Sequence, residues 1–117
     1  QPAPTDASGR VAQWYAGLAS TFAAIQLDTE QIKADATKRD VSALPGHCTS
    51  LRADAAKVQG AQTAPDKRIA QAVASAMRSY VFAAQNCLSG NYSATATGID
   101  QGAAALQSAN SIMNNLS

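Results

Sequence analysis

The stretch IAQAVASAMRSYVFAAQNC, residues 69–87, decides the fold. Its apolar side chains recur every three or four residues, which places them on one face of a helix. That face consists of Ile69, Val73, Ala76, Tyr80, Ala83 and Cys87. Pro65 precedes the stretch and suits a first helical turn, where Asp66 would meet the positive end of the helix dipole. We therefore predict a helix that starts at Pro65 and ends at a turn over residues 89–91.

The segment before this helix carries a heptad pattern of its own. Its apolar positions are Val41, Leu44, Cys48, Leu51, Ala55 and Val58. Pro is tolerated best in the first turn of a helix, and Gly commonly ends one. We therefore predict a short turn over residues 41–44 and a helix from Pro45 to Gln59, ended by Gly60.

The segment after residue 91 also has helical period, and no part of the chain shows the strict alternation of a β-strand. Asn91 or Ser93 would cap this last helix. Its inner positions are Tyr92, Thr95, Ile99, Gly102, Leu106, Ala109, Met113 and Leu116. The pattern predicts a helix that continues to the end of the chain.

The N-terminal third predicts one long helix from Ser8 or Gly9 to Lys38. Its apolar stripe consists of Val11, Trp14, Leu18, Phe22, Ile25, Ile32 and Ala36, with Tyr15 beside it. The phase continues past Asp28; the alternative is a break there, with Asp28 capping a second helix. Residues 1–8 hold two prolines and small polar side chains, so we predict a flexible tether, with residues 9–117 as the single domain. Such a tether commonly follows a cleaved signal peptide, which we expect has been removed, or a lipid-bearing cysteine.

Four amphipathic helices with short connections predict an all-α fold, an antiparallel up-down four-helix bundle. The chain has two cysteines, Cys48 and Cys87, each in the apolar stripe of a different helix. We predict that they form one disulfide, which would place the protein outside the reducing cytosol. A tight turn between their helices would leave them at different heights. Residues 60–64 are therefore predicted to be extended beyond the end of the second helix.

Composition and motifs speak against several classes of function. The net charge is +1 and no basic patch contains interleaved aromatic residues, so nucleic acid is not an expected partner. The sequence contains no run of about 18 apolar residues, the length needed to span a membrane. The aspartates, including Asp28, Asp35 and Asp54, are assigned to solvated polar faces, and no two of them form an acid–base pair. We therefore expect no enzymatic activity.

The single histidine, His47, is the only residue that invites a metal or cofactor interpretation. With Met77 and Met113 it would make a copper or haem ligand set, but it has no ligand partner at helical spacing. We predict a partly exposed histidine at a helix start, no metal and no cofactor. The six aromatic residues are assigned to the core in preference to a cleft. They are Trp14, Tyr15, Phe22, Tyr80, Phe82 and Tyr92.

The last helix is the best candidate for a functional surface. After Arg78 the only charged residue is Asp100, so outward positions such as Gln107 and Ser111 are uncharged and inexpensive to desolvate. Gly98 and Gly102 lie four residues apart, and a glycine inside a helix costs about 1 kcal/mol relative to alanine. Close packing of Gly102 against Trp14 or Tyr80 would offset this cost. The functional interpretation is a groove for a partner helix or a small apolar ligand.

Three motifs carry a resemblance to a known group of proteins. They are Cys48-Thr49-Ser50-Leu51, Ala64-Pro65-Asp66 and Ala84-Gln85-Asn86-Cys87, followed by a turn and a periodic last helix. In this layout residues 41–117 resemble small exported helical proteins of actinobacteria, many of which are lipoproteins. The resemblance implies a cell-envelope location, a Cys48–Cys87 disulfide and no catalytic residues. The N-terminal lipid-bearing cysteine of lipoproteins is not in this chain, and such an anchor would be its only route to a membrane.

Two functions of different classes remain. The first is a secreted or cell-envelope interaction module that binds another protein through the last helix. The second is a carrier that holds a small apolar ligand between the helices. An internal cavity lined by Gly102 and the aromatic residues would favour the carrier, whereas a filled core with an uncharged exposed patch would favour the interaction module.

Overall fold

The computed structural model describes residues 6–116 and forms the predicted antiparallel four-helix bundle. Its helices are α1 (Ala7–Lys38), α2 (Leu44–Gly60), α3 (Lys67–Leu88) and α4 (Tyr92–Asn114). No strand occurs within this range. Most of the predicted tether lies outside the described residues. Of its described part, Asp6 caps α1, and Ala7 and Ser8 are the first residues of that helix.

The helix ends follow from capping side chains. Asp66 accepts hydrogen bonds from the backbone N–H groups of Arg68 and Ile69, at 2.8 and 3.2 Å. It is therefore the residue before the helix, and the predicted start of α3 at Pro65 is two residues too early. Asn91, the first of the two residues predicted to cap α4, accepts from the N–H of Ala94. The alternative break in α1 at Asp28 does not occur.

The C-terminal end of α1 places Arg39 in the left-handed conformation, with φ of 57°. The N–H of Asp40 then donates to the carbonyl of Asp35 over 2.8 Å and closes the helix. We expect the variant Arg39→Gly to have a free energy of unfolding about 1 kcal/mol higher than Arg39→Ala. Both variants lose the same charge and differ only in the Cβ that strains this conformation. Equilibrium unfolding in urea measures the difference, and equal stabilities would show that Arg39 is not strained.

The Cys48–Cys87 disulfide joins α2 to α3, with 6.3 Å between the two Cα atoms. As predicted, the connection between these helices is not a tight turn: Ala61 is extended, and α3 begins only at Lys67. Gly60 differs from the prediction because it is still the last residue of α2. The chain thus runs on beyond α2 before α3 returns to the level of Cys48.

The bundle is closed on three sides. α1 packs along α2, α2 along α3, and α3 along α4, whereas α4 approaches α1 over a short stretch only. The core between them is filled, and its largest fully buried side chains include Ile25, Leu51, Ile69 and Met77. The side of the bundle between α1 and α4 is therefore open along much of its length.

Five residues that were assigned to the apolar stripes or to the core are exposed, namely Tyr15, Ala36, Val41, Phe82 and Tyr92. Val41 lies in the turn that was predicted before α2, although the helix begins one residue earlier than predicted, at Leu44. Phe82 lies two residues from Tyr80, on the outer face of α3. Tyr92 is the first residue of α4, at the end of the bundle, where no neighbouring helix covers it.

Candidate functional site

A groove of about 380 Å³ occupies the open side between α1 and α4. One wall is formed by Trp14, Tyr15 and Phe22 of α1, and the other by α4. Tyr80 of α3 also lines the groove and, like Phe22, is buried. Among residues 6–116 none that lines the groove is charged, so it offers a mainly apolar surface with a few uncharged polar groups.

The aromatic wall on α1 is held in place by its own contacts. Tyr15 and Phe22 lie two helical turns apart on one face of α1, and their rings stack with 5.6 Å between centroids. Trp14 meets Phe22 edge-on at 6.2 Å. The indole N–H of Trp14 donates to the carbonyl of Gln62 over 2.7 Å, which ties the wall to the loop after α2. This bond uses the polar group of Trp14, so its ring offers the groove only apolar surface.

The α4 wall contains Ala103, Leu106, Gln107, Asn110 and Met113. Gln107 therefore lies in the groove, as do Trp14 and Tyr80 from the set predicted for a functional surface. The remaining exposed member of that set, Ser111, is on the same helix outside the groove.

Gly98 and Gly102 are buried between α4 and α3. A Cβ on Gly102 would lie 2.7 Å from the ring of Tyr80, and one on Gly98 would lie 2.8 Å from the Cβ of Ala83. Real Cβ atoms essentially never approach that closely. The two glycines thus allow close packing of α3 on α4, as the packing interpretation expects, and Tyr80 fills the space in which a Gly102-lined cavity would lie.

The assignment of the aspartates to solvated faces is wrong for three of them. Asp28, Asp35 and Asp54 are only 5, 8 and 9% exposed, and they lie where α1 faces α2. The signal for Asp28 was present in the sequence, because it stands three residues after Ile25 and four before Ile32, on the apolar stripe itself. Burial of ionisable groups is uncommon and marks this contact as unusual.

Asp28 is the centre of this polar group. The hydroxyl of Ser50 donates to its Oδ1 over 2.9 Å, whereas its Oδ2 is sealed from solvent and has no hydrogen-bond partner. Burial, and after it the adjacent carboxyl of Asp54, raise the pKa of Asp28 from 3.8 to about 6. The Nζ of Lys57 lies 3.5 Å from the Oδ1 of Asp54 and forms an ion pair with it.

His47 lies at the other end of the same contact. Its Nδ1 is paired with the Oδ2 of Asp35, and its side chain is partly exposed, as predicted. Within residues 6–116 no group of three or more His, Cys, Asp or Glu side chains is arranged to hold a metal ion. In the same range, none of the helices has the length and apolar character needed to cross a membrane.

No family model, curated protein or solved structure matches the chain. The resemblance to exported actinobacterial proteins therefore stays a prediction. The functional argument rests on the geometry of the groove and on the charges around it.

Proposed function

We propose that this chain is an exported, non-enzymatic interaction module that binds a helix of a partner protein in the groove between α1 and α4. The observation that carries the proposal is the open fourth side of the bundle, where aromatic side chains face an uncharged side of α4. Trp and Tyr are enriched among the residues that dominate binding energy at protein interfaces.

The shape of the groove fits a helix. Beyond the aromatic wall the depression continues along Ser8, Val11 and Leu116. From Ser8 to Thr29 the α1 wall is about 30 Å long at 1.5 Å per residue, which accommodates a partner helix of about 20 residues. Docking of an apolar helix face into such a groove is a recurring mode of peptide recognition.

The lack of charge in the groove determines the chemistry of the partner. Burying an unpaired charge against these walls would cost several kcal/mol, so the docked face must be apolar or uncharged. Gln107 and Asn110 supply amide groups at the groove, which suit uncharged polar side chains at the rim of the partner helix.

The proposed location outside the cytosol is supported by the disulfide. Both cysteines of the chain are buried and bonded to each other, and structural disulfides of this kind are found mainly in oxidising compartments. A secreted or envelope-facing protein would meet its partner there.

The site of partner binding can be tested by photo-cross-linking at adjacent alanines. Ala103 lines the groove, and Ala104 is also exposed on the same helix but lies outside it. A photoreactive phenylalanine analogue at position 103 is expected to capture a specific protein from an envelope extract of the source cells, and at position 104 to capture none. Equal capture at both positions, or capture at neither, contradicts the proposal.

The captured protein then allows a quantitative prediction. Ala103→Glu is expected to weaken its affinity at least tenfold, about 1.4 kcal/mol, because the carboxylate would be desolvated in the interface. Ala104→Glu makes the same chemical change in solvent and is expected to alter the affinity less than twofold. Titration calorimetry measures both values, and equal losses in the two variants would exclude the groove as the interface.

A small apolar ligand is the second candidate. The volume of the groove lies within the range of small-molecule sites, and the stacked Tyr15–Phe22 pair offers a flat apolar surface. Native mass spectrometry of protein purified from its own cells distinguishes the two candidates. A retained small mass that is lost in Ala103→Glu and kept in Ala104→Glu would establish the carrier.

A further inference from the structure

The contact that holds α1 on α2 contains buried acidic side chains, which is unusual for a contact between two helices. In the described part of the chain, α1 packs extensively along α2 and along no other helix. The same contact contains the three buried aspartates of residues 6–116, Asp28, Asp35 and Asp54. Buried carboxyls are therefore part of the contact that attaches α1 to the bundle.

The groups that act on Asp28 come from α2. Ser50 donates a hydrogen bond to its Oδ1, and the charged neighbours that affect it are Asp54 and His47. His47 is itself paired with Asp35, and Lys57 lies beside Asp54. No donor reaches the Oδ2 of Asp28, which solvent does not reach either. A proton on one of the two facing carboxyls would satisfy this oxygen.

We propose that Asp28 retains a proton in this sealed contact, and that this proton controls how firmly α1 is held on α2 and thereby regulates the groove between α1 and α4. The inference rests on the proposed function of the groove. Like-charged carboxyls in a shared buried site cannot both ionise without cost, which is the general reason such pairs retain a proton.

The direction of the effect follows from linkage. The folded protein holds a proton on Asp28 up to a higher pH than the unfolded chain does. The stabilisation from this proton is therefore greatest in acid and is lost as the pH rises from about 4 through about 6. Above that range Asp28 is ionised beside Asp54, and the contact between α1 and α2 is weakened.

The groove responds because α1 forms its aromatic wall. Trp14, Tyr15 and Phe22 belong to α1, whereas α4 is packed along α3 through the close contacts at Gly98 and Gly102. Loosening of α1 moves one wall and leaves the other in place. We expect the groove to be well formed in mild acid and less well formed above neutral pH.

Amide hydrogen exchange tests the proton site without any ligand. Between about pH 5 and about pH 7.5, after correction for intrinsic exchange, opening of α1 near Asp28 is expected to become about tenfold more favourable, while α4 serves as the internal reference. Asp28→Asn keeps an acceptor for Ser50 and removes the titration, so this pH dependence is expected to disappear. Asp54→Asn provides a second variant should Asp28→Asn fail to fold.

The control is Asp100→Asn, which removes an exposed carboxylate of α4 and is expected to retain the wild-type pH dependence. An α1 opening equilibrium that is independent of pH in the wild type would overturn the inference and leave the proposed function untouched. The inference would also be overturned, again without effect on the proposed function, if Asp28→Asn and Asp54→Asn both kept the full pH dependence.

The link to the groove needs a probe whose own charge does not change. Nile red is neutral over this range, and we expect it to bind the wild type several-fold more tightly at the lower pH, and Asp28→Asn equally at both. Ala103→Glu should weaken its binding at either pH if the groove is the site. Groove binding that is the same at both pH values in the wild type would overturn the regulation while supporting the groove itself.

Discussion

Reduction of the Cys48–Cys87 disulfide is expected to lower the free energy of unfolding by about 4 kcal/mol without abolishing helicity. The bond closes a loop with a sequence separation of 39 residues, and its main effect in the chain-entropy model is to restrict the unfolded chain. The four helices keep their apolar stripes after reduction, so the circular dichroism of the folded state should change little. Urea unfolding of the oxidised and reduced protein measures the difference.

The double variant Cys48→Ala with Cys87→Ala is the matched control, because it has no bond to reduce. Its stability should be the same with and without reductant. Thiol titration of the unfolded, unreduced wild type should find no free thiol. Two free thiols, or an unfolding midpoint that reduction leaves unchanged, would remove both the cross-link and its support for an exported protein.

The variant Gly98→Ala is expected to destabilise the protein by about 2–3 kcal/mol, an unusual effect for the addition of one methyl group. The new Cβ would lie 2.8 Å from the Cβ of Ala83 and 2.9 Å from the backbone oxygen of Ser79. A backbone atom cannot move aside as a flexible side chain can, so α4 would have to shift away from α3. Equilibrium urea unfolding measures the loss.

Gly17→Ala is the comparison that isolates packing from helix propensity. Gly17 is also inside a helix, but a Cβ there would meet nothing within 4 Å. Alanine at this position is expected to raise the free energy of unfolding by up to about 1 kcal/mol. If Gly98→Ala were also stabilising, the close contact of α3 with α4 at this point would be wrong.

The helices and their cross-link could be predicted because their determinants are local. The stripe over residues 69–87 identifies α3 and its buried face without knowledge of any other helix. Cys48 and Cys87 lie on such stripes, and the rise per residue alone shows that the loop between their helices must be extended. The error in the start of α3 has a local cause as well. Pro65 was taken as the first helical residue, but Asp66 is the capping residue, so the helix begins after it.

The burial of Asp28 is indicated by its position on the apolar stripe of α1, but the polar contact that it makes could not be predicted with the same reasoning. The partners of a buried carboxylate are known only when the residues of the next helix that face it are known. For Asp28 that partner set is Ser50 and Asp54, more than twenty residues away along the chain. Hydrophobic periodicity identifies which face is inside but carries no information on which polar groups will meet there.

A groove at the last helix was one interpretation of the sequence, but its position between α1 and α4 could not be predicted, for a related reason. Both helices have inner stripes, so their patterns predict a closed bundle. Neither pattern carries information on the distance between the two helix axes. The aromatic residues Trp14, Tyr15 and Phe22 were assigned to the core because helical spacing favours that assignment. That assignment is confirmed for Phe22, which is buried, and Trp14 packs against the core, whereas Tyr15 is more than a third exposed; all three line the open side.

The open side also has a consequence for how the chain folds. The extensive contacts join helices that are neighbours in the sequence, so the bundle is a series of helical hairpins. Extensive packing of α1 on α4 is not part of the folded state. Contacts of short sequence separation carry a low entropic cost of loop closure, and proteins dominated by them cross low kinetic barriers. The native state can therefore be reached by adding one helix at a time, much as ribosomal synthesis delivers them.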